Sequence, residues 1–185
     1  MTTNISAQAV KELRKKTSAG MMDCKQALQD SCGSIPKAIE ILKQKGLVIA
    51  EKKVHRAVAE GCIECYIHVG GKLGVMVEVN CETDFVARRL EFKEFARNIA
   101  MQIAASPLVK FISMQDIPKE FVGEQSLSNE NMCNKRNLET VLMEQPFIKD
   151  PSLTVGELVT QHITLWGENI RIRRFERFLL GGSDL

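Results

Sequence analysis

The hydrophobic pattern of this chain changes its period just after Cys81, and this change constrains the fold more than any other feature. Before it, Val75, Val77, Val79 and Cys81 alternate with polar or small residues, which is typical of a half-buried strand. After it, residues 89–105 carry apolar side chains at helical spacing, namely Phe92, Phe95, Ala96, Ile99 and Ile103. Because the strand and the helix each present one apolar face, the pattern predicts a sheet with this helix packed against it.

The segment that joins this strand to this helix, residues 82–90, is called the corner below. Thr83 and Asp84 are both favourable N-cap residues, so a helical turn is predicted to start there. Phe85 follows them, and two hypotheses fit its position. It either packs in the core or as a hydrophobic staple, or it projects from the surface and inserts into a partner.

The strand before the corner is the second half of a predicted β-hairpin over residues 61–82. Gly70-Gly71-Lys72 supplies the turn. We expect the apolar residues of both strands to share one face, with Tyr66 and His68 on the other. The predicted apolar face consists of Ile63, Cys65, Ile67 and Val69 with Leu73, Val75, Val77 and Val79.

Residues 1–46 are predicted to form a small module of three short helices. The first runs from Ser6 to Lys16, Asp23 caps the second, and Gly33 ends it. The third begins after Ser34, has Pro36 in its first turn and ends at Gly46. Its thin core is expected to come from Ala9, Val10, Leu13, Ala27, Leu28, Ala38, Ile39, Ile41 and Leu42.

Met21 and Met22 are placed by this pattern in the loop between the first and second helices. Two hypotheses again apply. They either fill the small core or form a contact surface, for which flexible and polarizable methionine is well suited.

Residues 47–60 are predicted to continue as a linker helix, and residues 61–185 as an α+β core domain with a three-stranded antiparallel sheet. The third strand lies near the C terminus. There Ile170 and Ile172 alternate out of phase with Phe175, so we predict a bulge near Arg173 and Arg174.

The region between the long helix and this strand is harder to interpret. Residues 124–137 are polar and are predicted to be a loop, followed by a helix from about Arg136 to Gln145. Thr154 is predicted to cap a further helix. On the long helix we expect the polar side chains to face outward, namely Lys93, Glu94, Arg97 and Gln102.

Cys62 and Cys65 form a Cys-x-x-Cys pair, which can indicate zinc binding or redox chemistry. On a strand, however, residues three apart point to opposite faces and lie about 10 Å apart. The sequence also lacks a second Cys or His pair to complete a zinc site. We therefore expect neither a metal site nor a disulfide here.

Composition and motifs exclude several classes of protein. The net charge is only +2, which argues against a dedicated nucleic-acid surface. No apolar run reaches the roughly 18 residues of a membrane span, and residues 1–20 contain no signal-peptide hydrophobic region. A cytoplasmic location is therefore expected. We find no catalytic constellation or phosphate-binding glycine loop, so we expect no cofactor and no covalent chemistry.

Three segments resemble the translation elongation factor Ts family. Residues 78–88, Glu-Val-Asn-Cys-Glu-Thr-Asp-Phe-Val-Ala-Arg, are similar to a signature of that family almost without interruption. Residues 13–28 resemble its N-terminal signature, with Arg14, Met21 and Met22 at matching positions. Residues 167–178 resemble its C-terminal strand signature.

This resemblance implies a guanine-nucleotide exchange factor for the GTPase elongation factor Tu. It implies that the N-terminal module is similar to a ubiquitin-associated domain. It also implies that Arg14, Met21 and Met22 contact the GTPase domain, and that Thr83, Asp84, Phe85 and Val86 form the group that enters near its Mg²⁺ and phosphate site. Short members of the family tend to pair, which suggests a homodimer.

Two other functions remain as alternatives. The C-terminal strand carries Arg171, Arg173, Arg174 and Arg177, which would suit an RNA-binding module, although a solvated strand face explains the same pattern. A zinc-dependent enzyme would use Cys62 and Cys65.

Overall fold

The structure is a computed structural model that describes residues 5–17, 19–118 and 138–182. Contacts divide the chain into two compact units. The first is drawn from Met1–Ala57 with Val159–Asn169, and the second from Val58–Leu158 with Ile170–Leu185. The predicted α+β class is confirmed. Whether residues 1–46, 47–60 and 61–185 behave as separate domains stays a prediction.

The first unit contains the three predicted N-terminal helices. They are α1 (Ala7–Thr17), α2 (Met21–Asp30) and α3 (Ile35–Lys53). Pro36 lies in the first turn of α3, where its missing N–H has no helical partner to lose. Their side chains enclose a small core of Val10, Leu13, Cys24, Ala27, Leu28 and Ala38.

The helix end that we predicted at Gly46 is wrong, because α3 continues without a break to Lys53. Gly46 is buried, and a Cβ atom there would lie 3.4 Å from Thr164 Oγ1 and 3.7 Å from Thr160 Cγ2. Both threonines belong to helix α6 (Val155–Trp166), in the part that lies within the first unit. These are ordinary contact distances, so Gly46 is a packed position inside a continuous helix and not a stop signal.

The second unit is built on an antiparallel sheet of three strands in the order β1-β2-β5, which confirms the predicted sheet. Strands β1 (Glu60–Ile67) and β2 (Leu73–Cys81) form the predicted hairpin. Strand β5 (Ile170–Leu179) pairs with the other edge of β2. Helices α4 (Asp84–Ala87) and α5 (Leu90–Ala105) follow β2 directly, and both contact the hairpin.

The predicted face of the hairpin is wrong for its first strand. The register pairs Tyr66 with Val75 and Cys65 with Met76, and residues paired across two strands share a face. Val75 is buried against the core, whereas the side chains that we expected beside it lie on the opposite face and are exposed, namely Ile63, Cys65 and Ile67.

The long helix α5 confirms its predicted bounds within one residue, but Gln102 does not face outward. It is buried, and its amide group donates to Pro146 O at 3.2 Å and accepts from Ile148 N at 2.7 Å. These bonds tie α5 to a short hairpin that the sequence pattern did not indicate. Its strands are β3 (Pro146–Phe147) and β4 (Asp150–Thr154).

The helix predicted from Arg136 to Gln145 is largely absent from the described residues. Residues 138–140 are helical, but Val141 then bridges to Phe111, and Leu142–Glu144 form a 3₁₀ turn. The predicted loop at 124–137 lies outside the described residues, as does the start of this helix. Thr154 caps α6 as predicted, because Glu157 N donates to its Oγ1 at 3.1 Å.

The predicted bulge in β5 is confirmed. Glu78 pairs with Arg174 and Val79 with Ile172, so Arg173 is the extra residue. Both arginines consequently reach Glu78, with Arg174 Nε at 2.7 Å and Arg173 Nη1 at 3.1 Å from its carboxylate oxygens. Hydrogen bonding from Arg174 is the main cause that holds the pKa of Glu78 below its ordinary value.

Arg177 closes the C-terminal end of α5. Its guanidinium group donates to Pro107 O at 2.7 Å and to Ile103 O and Ser106 O at 2.8 Å each. These carbonyls lie at or just beyond the C-terminal end of α5, where a cation is favourable because of the helix dipole. Burial lowers the pKa of Arg177.

Within the described residues, we find no helix with both the length and the apolar character that a membrane span requires.

We expect Arg177→Ala to lower the free energy of unfolding by about 2 kcal/mol, because the helix-end carbonyls lose charged donors. The matched control is Arg174→Ala. Its guanidinium is exposed and Arg173 still contacts Glu78, so its loss should be below about 1 kcal/mol. Urea denaturation of both variants measures the difference, and equal losses would contradict this role of Arg177.

Candidate functional site

The corner confirms the predicted change from strand to helix. Strand β2 ends at Cys81, Thr83 has extended backbone and stands at the N-cap of α4, and α5 begins at Leu90. Asp84 lies in the first turn of α4 rather than at its cap. The thiol of Cys81 donates to Thr83 O at 3.2 Å, so the end of the strand is tied to the start of the turn.

Phe85 projects into solvent from this corner. Its side chain is 78% exposed, whereas the next two residues, Val86 and Ala87, are 3% and 8% exposed. The hypothesis of an exposed Phe85 is therefore confirmed, and the hypothesis of a core or staple residue is wrong. Val86 is buried in the free protein, where it supports the exposed residues, and its contact with a partner stays a prediction. The corner presents an aromatic ring from a short turn that is anchored in the core.

Asp84 and Arg88 form an ion pair across this turn. Arg88 Nη2 lies 2.9 Å from Asp84 Oδ2, at the i,i+4 spacing of helical neighbours. The arginine side chain is 80% exposed, so the pair is screened by water and contributes little to stability. The pair places the carboxylate of Asp84 beside the guanidinium group of Arg88 on the turn that carries Phe85. The turn therefore displays a partly neutralised carboxylate and an aromatic ring together.

Met21 and Met22 are also exposed, at 60% and 74%. They lie in the first turn of α2, not in the preceding loop, and they do not fill the small core. Gly20, rather than Asp23, is the N-cap of α2, and Asp23 lies in the first turn, where it pairs with Lys45. The hypothesis that the methionines are available as a contact surface is consistent with this exposure.

Arg14 lies in the last turn of α1, where its side chain is exposed. Lys15 and Lys16 follow it in the same turn, so the C-terminal end of α1 is positively charged. Cations are favourable there because of the helix dipole. The first unit therefore displays two groups that could contact a protein, a basic helix end and a pair of exposed methionines.

A second exposed apolar surface, which was not predicted from the sequence, lies on the side of the sheet opposite to α5. We call it the open sheet face. Its members come from all three strands and the residue after β5, and all of them except Ile63 line an apolar groove. They are Ile63, Cys65, Ile67, Met76, Phe178 and Leu180, of which Ile67, Phe178 and Leu180 are 67%, 64% and 73% exposed.

The signal that could have revealed this face lies in β2. Met76 alternates with the buried valines, so an apolar residue occupies the second face as well. At the other end of that face, Glu78 is paired with Arg173 and Arg174.

Cys62 and Cys65 do not approach a common ligand, because β1 places them on opposite faces of the sheet. Burial raises the pKa of the Cys62 thiol, with a smaller contribution from Glu64. Within the part of the chain that the structure describes, no group of three or more Cys, His, Asp or Glu side chains converges in a way that could hold a metal ion.

Comparison with known proteins shows what the chain is similar to. The family described as Elongation factor TS matches residues 2–135. Elongation factor Ts, chloroplastic, from Rhodomonas salina is 55% identical over 199 aligned positions that cover 98% of this chain and 91% of the relative. Elongation factor Ts from Synechococcus elongatus is 53% identical over 195 positions, covering 96% and 88%. The aligned regions therefore include the corner with Phe85 and the exposed pair Met21 and Met22.

We expect Phe85→Ala to change the free energy of unfolding by less than about 0.5 kcal/mol, because its ring makes little contact in the free protein. The neighbouring Val86→Ala should cost about 1–2.5 kcal/mol, since it removes a buried side chain. Chemical denaturation of the two variants is the measurement. A Phe85→Ala loss as large as that of Val86→Ala would show that the ring is packed in the free protein.

Proposed function

Given that this chain belongs to the elongation factor Ts family, whose members are nucleotide-exchange factors of elongation factor Tu, we propose that it promotes GDP release by inserting Asp84 and Phe85 near the Mg²⁺ and phosphate site of that GTPase. The exchange role follows from the family. The observation that supports the insertion is the 78% exposure of Phe85 on a turn whose next residues are buried. A projecting ring on an anchored support suits entry into a partner.

Exchange by this route needs no covalent chemistry. The factor must bind the nucleotide-free GTPase more tightly than the GDP form. By thermodynamic linkage, the factor and GDP then weaken each other's binding by the same amount. Phe85 contributes to this difference if its ring is buried only when the groups that hold the metal and the β-phosphate have been displaced. Such a factor acts without a cofactor of its own.

The size of the effect can be estimated from burial of one ring. Transfer of a phenylalanine side chain from water to an apolar site contributes about 1.5–3 kcal/mol. Each 1.4 kcal/mol or so changes a rate or an equilibrium about tenfold. Phe85 alone could therefore accelerate GDP release by roughly ten- to a hundredfold. A larger acceleration requires further contacts, for which we propose Arg14, Met21 and Met22.

Asp84 has a different part in this proposal. A carboxylate near a phosphate is unfavourable by charge, but Arg88 lies 2.9 Å from it in the free protein. This ion pair reduces the repulsion during approach. Close to the metal site of the GTPase, the Asp84 carboxylate competes with the phosphate of GDP for the cationic groups that held that phosphate. Thr83 and Val86 hold the turn in place: Thr83 is its N-cap and Val86 is buried.

The RNA-binding alternative has less support. Arg173 and Arg174 contact Glu78, and Arg177 contacts carbonyl groups at the end of α5. Three of the four arginines are thus engaged within the protein, which leaves less positive charge for a phosphate backbone. The expectation of no direct nucleic-acid contact stays a prediction. The cytoplasmic location also stays a prediction, because both chloroplastic and bacterial relatives match the chain.

We also propose that the open sheet face pairs two copies of this chain. Its apolar side chains come from adjacent strands, and such a contiguous surface on a monomer is typical of an interaction site. Sheets pack face to face in this manner, with apolar side chains from each interdigitating. Glu78 and the two arginines that contact it, Arg173 and Arg174, lie on the same face. Because these charges are paired within each copy, they oppose the approach of a second copy less than unpaired like charges would.

Release of a fluorescent GDP analogue from purified elongation factor Tu tests the exchange mechanism. The wild-type chain should accelerate release at substoichiometric amounts. Phe85→Ala should reduce the maximal acceleration ten- to a hundredfold while it retains much of the affinity for the GDP-bound GTPase, because the ring is buried only after the metal and phosphate groups have been displaced. The control is Met114→Ala, which also truncates an exposed apolar side chain, 46% exposed, in the same unit. An equal loss of acceleration and of affinity for the GDP-bound GTPase in Phe85→Ala would contradict the insertion mechanism.

Analytical ultracentrifugation tests the homodimer. We expect a wild-type dimer whose dissociation constant rises at least tenfold in Met76→Asp and in Phe178→Asp, because each buries a charge at the contact. The control is Leu108→Asp, which places the same charge at a 57% exposed leucine that follows α5. A monomeric wild-type chain, or an unchanged dimer in both sheet variants, would contradict this pairing.

A further inference from the structure

Leu90 is a second large apolar side chain that projects from the corner. It is 80% exposed, slightly more than Phe85 at 78%. It is the first residue of α5, and Arg89 before it has extended backbone at the N-cap. A leucine favours a helix, but this exposed position needs no apolar side chain for the fold.

The direction of Leu90 follows from the period of α5. The helix buries Phe92, Phe95 and Ile99 against the sheet. At about 100° per residue, the middle of this buried stripe lies nearly opposite to Leu90. Lys93 and Arg97 share the side of Leu90, and both are exposed. Leu90 is therefore an apolar residue at the start of an otherwise charged helix face.

Phe85 and Leu90 are close enough to contact one partner surface. Phe85 and Arg88 are separated by one helical turn, which spans about 5 Å. Two further trans peptide steps to Leu90 add at most about 8 Å, so the two Cα atoms lie within about 13 Å of each other. A typical interface of about 800 Å² per partner is about 30 Å across. The same docking event that covers Phe85 therefore reaches Leu90.

The surroundings of this pair have the composition of a small interface. Two exposed apolar side chains lie on a support that is anchored by Val86 and Ala87. Exposed charged residues, including Arg88 and Arg89, surround them. An apolar centre with a polar rim is the usual anatomy of a protein contact. A single exposed leucine would need no explanation, but two large exposed apolar side chains within one anchored corner indicate an interaction site.

We propose that Leu90 contacts the GTPase domain of elongation factor Tu next to the site that Phe85 enters, and that it sets affinity rather than the rate of exchange. This inference rests on the proposed function. The occupant is an apolar patch of that domain, because Phe85 brings this partner to the corner. Leu90 stands on α5, beyond the turn that carries Phe85, so it contacts the GTPase before and after GDP leaves. Such uniform binding lowers the concentration needed for half-maximal exchange and leaves the maximal rate unchanged.

The test measures GDP release from purified elongation factor Tu over a range of concentrations of the wild-type chain and of Leu90→Ala. We expect the half-saturating concentration of Leu90→Ala to rise about tenfold, with the maximal release rate within twofold of wild type. Leu108→Ala, which truncates a leucine that is 57% exposed, is the matched control and should behave as wild type. Circular dichroism of each variant excludes unfolding as the cause.

The outcomes separate this inference from the proposed function. If the wild-type chain does not accelerate release, the proposed function fails and the inference fails with it. If the wild type and Phe85→Ala behave as proposed but Leu90→Ala equals wild type at every concentration, only the role of Leu90 is overturned. A Leu90→Ala variant that lowers the maximal rate as Phe85→Ala does would overturn the division between affinity and exchange.

Discussion

Burial of one face of strand β2 under helix α5 is the interaction on which the second unit depends. Val75, Val77 and Val79 are almost completely buried, as are Phe92 and Ile99 of the helix. The central position of β2 brings β1 and β5 to its two edges. The short link between β2 and α5 then has little freedom, because both of its ends are held by the same core. The corner is therefore anchored at both ends, although it lies at the surface.

This arrangement explains how a small protein can present an exposed aromatic ring at a defined position. Exposed apolar side chains on mobile loops lose conformational entropy when they bind. At the corner, Val86 and Ala87 are buried, so much of that entropy has already been lost on folding. The proposed exchange mechanism and the proposed contact of Leu90 both depend on this preorganisation. The open sheet face is a consequence of the same layering, since α5 covers only one side of the sheet.

Much of the fold could be predicted from local pattern. The period-2 alternation into Cys81 and the helical period from Phe92 to Ile103 located β2 and α5 correctly, because each element faces a core on one side. The bulge at Arg173 was visible because Phe175 falls out of phase. Predictions failed where residues distant in sequence decide the outcome. Gly46 lies inside a helix that packs beside two threonines of α6, and Gln102 is buried because a hairpin supplies its partners.

The sequence by itself determined the α+β class, the strand–corner–helix segment and the signatures at residues 13–28, 78–88 and 167–178, because each depends on residue type and spacing alone. The tertiary structure alone decided which face of each element meets the core. Phe85 is exposed because its neighbours on α4 occupy the available core, and no property of phenylalanine itself indicates this. Likewise, Ile63 and Ile67 look like core residues in the sequence, yet the pairing register with β2 turns them to the open sheet face. A shift of one residue reverses every side chain of a strand, and register is set by the partner strand.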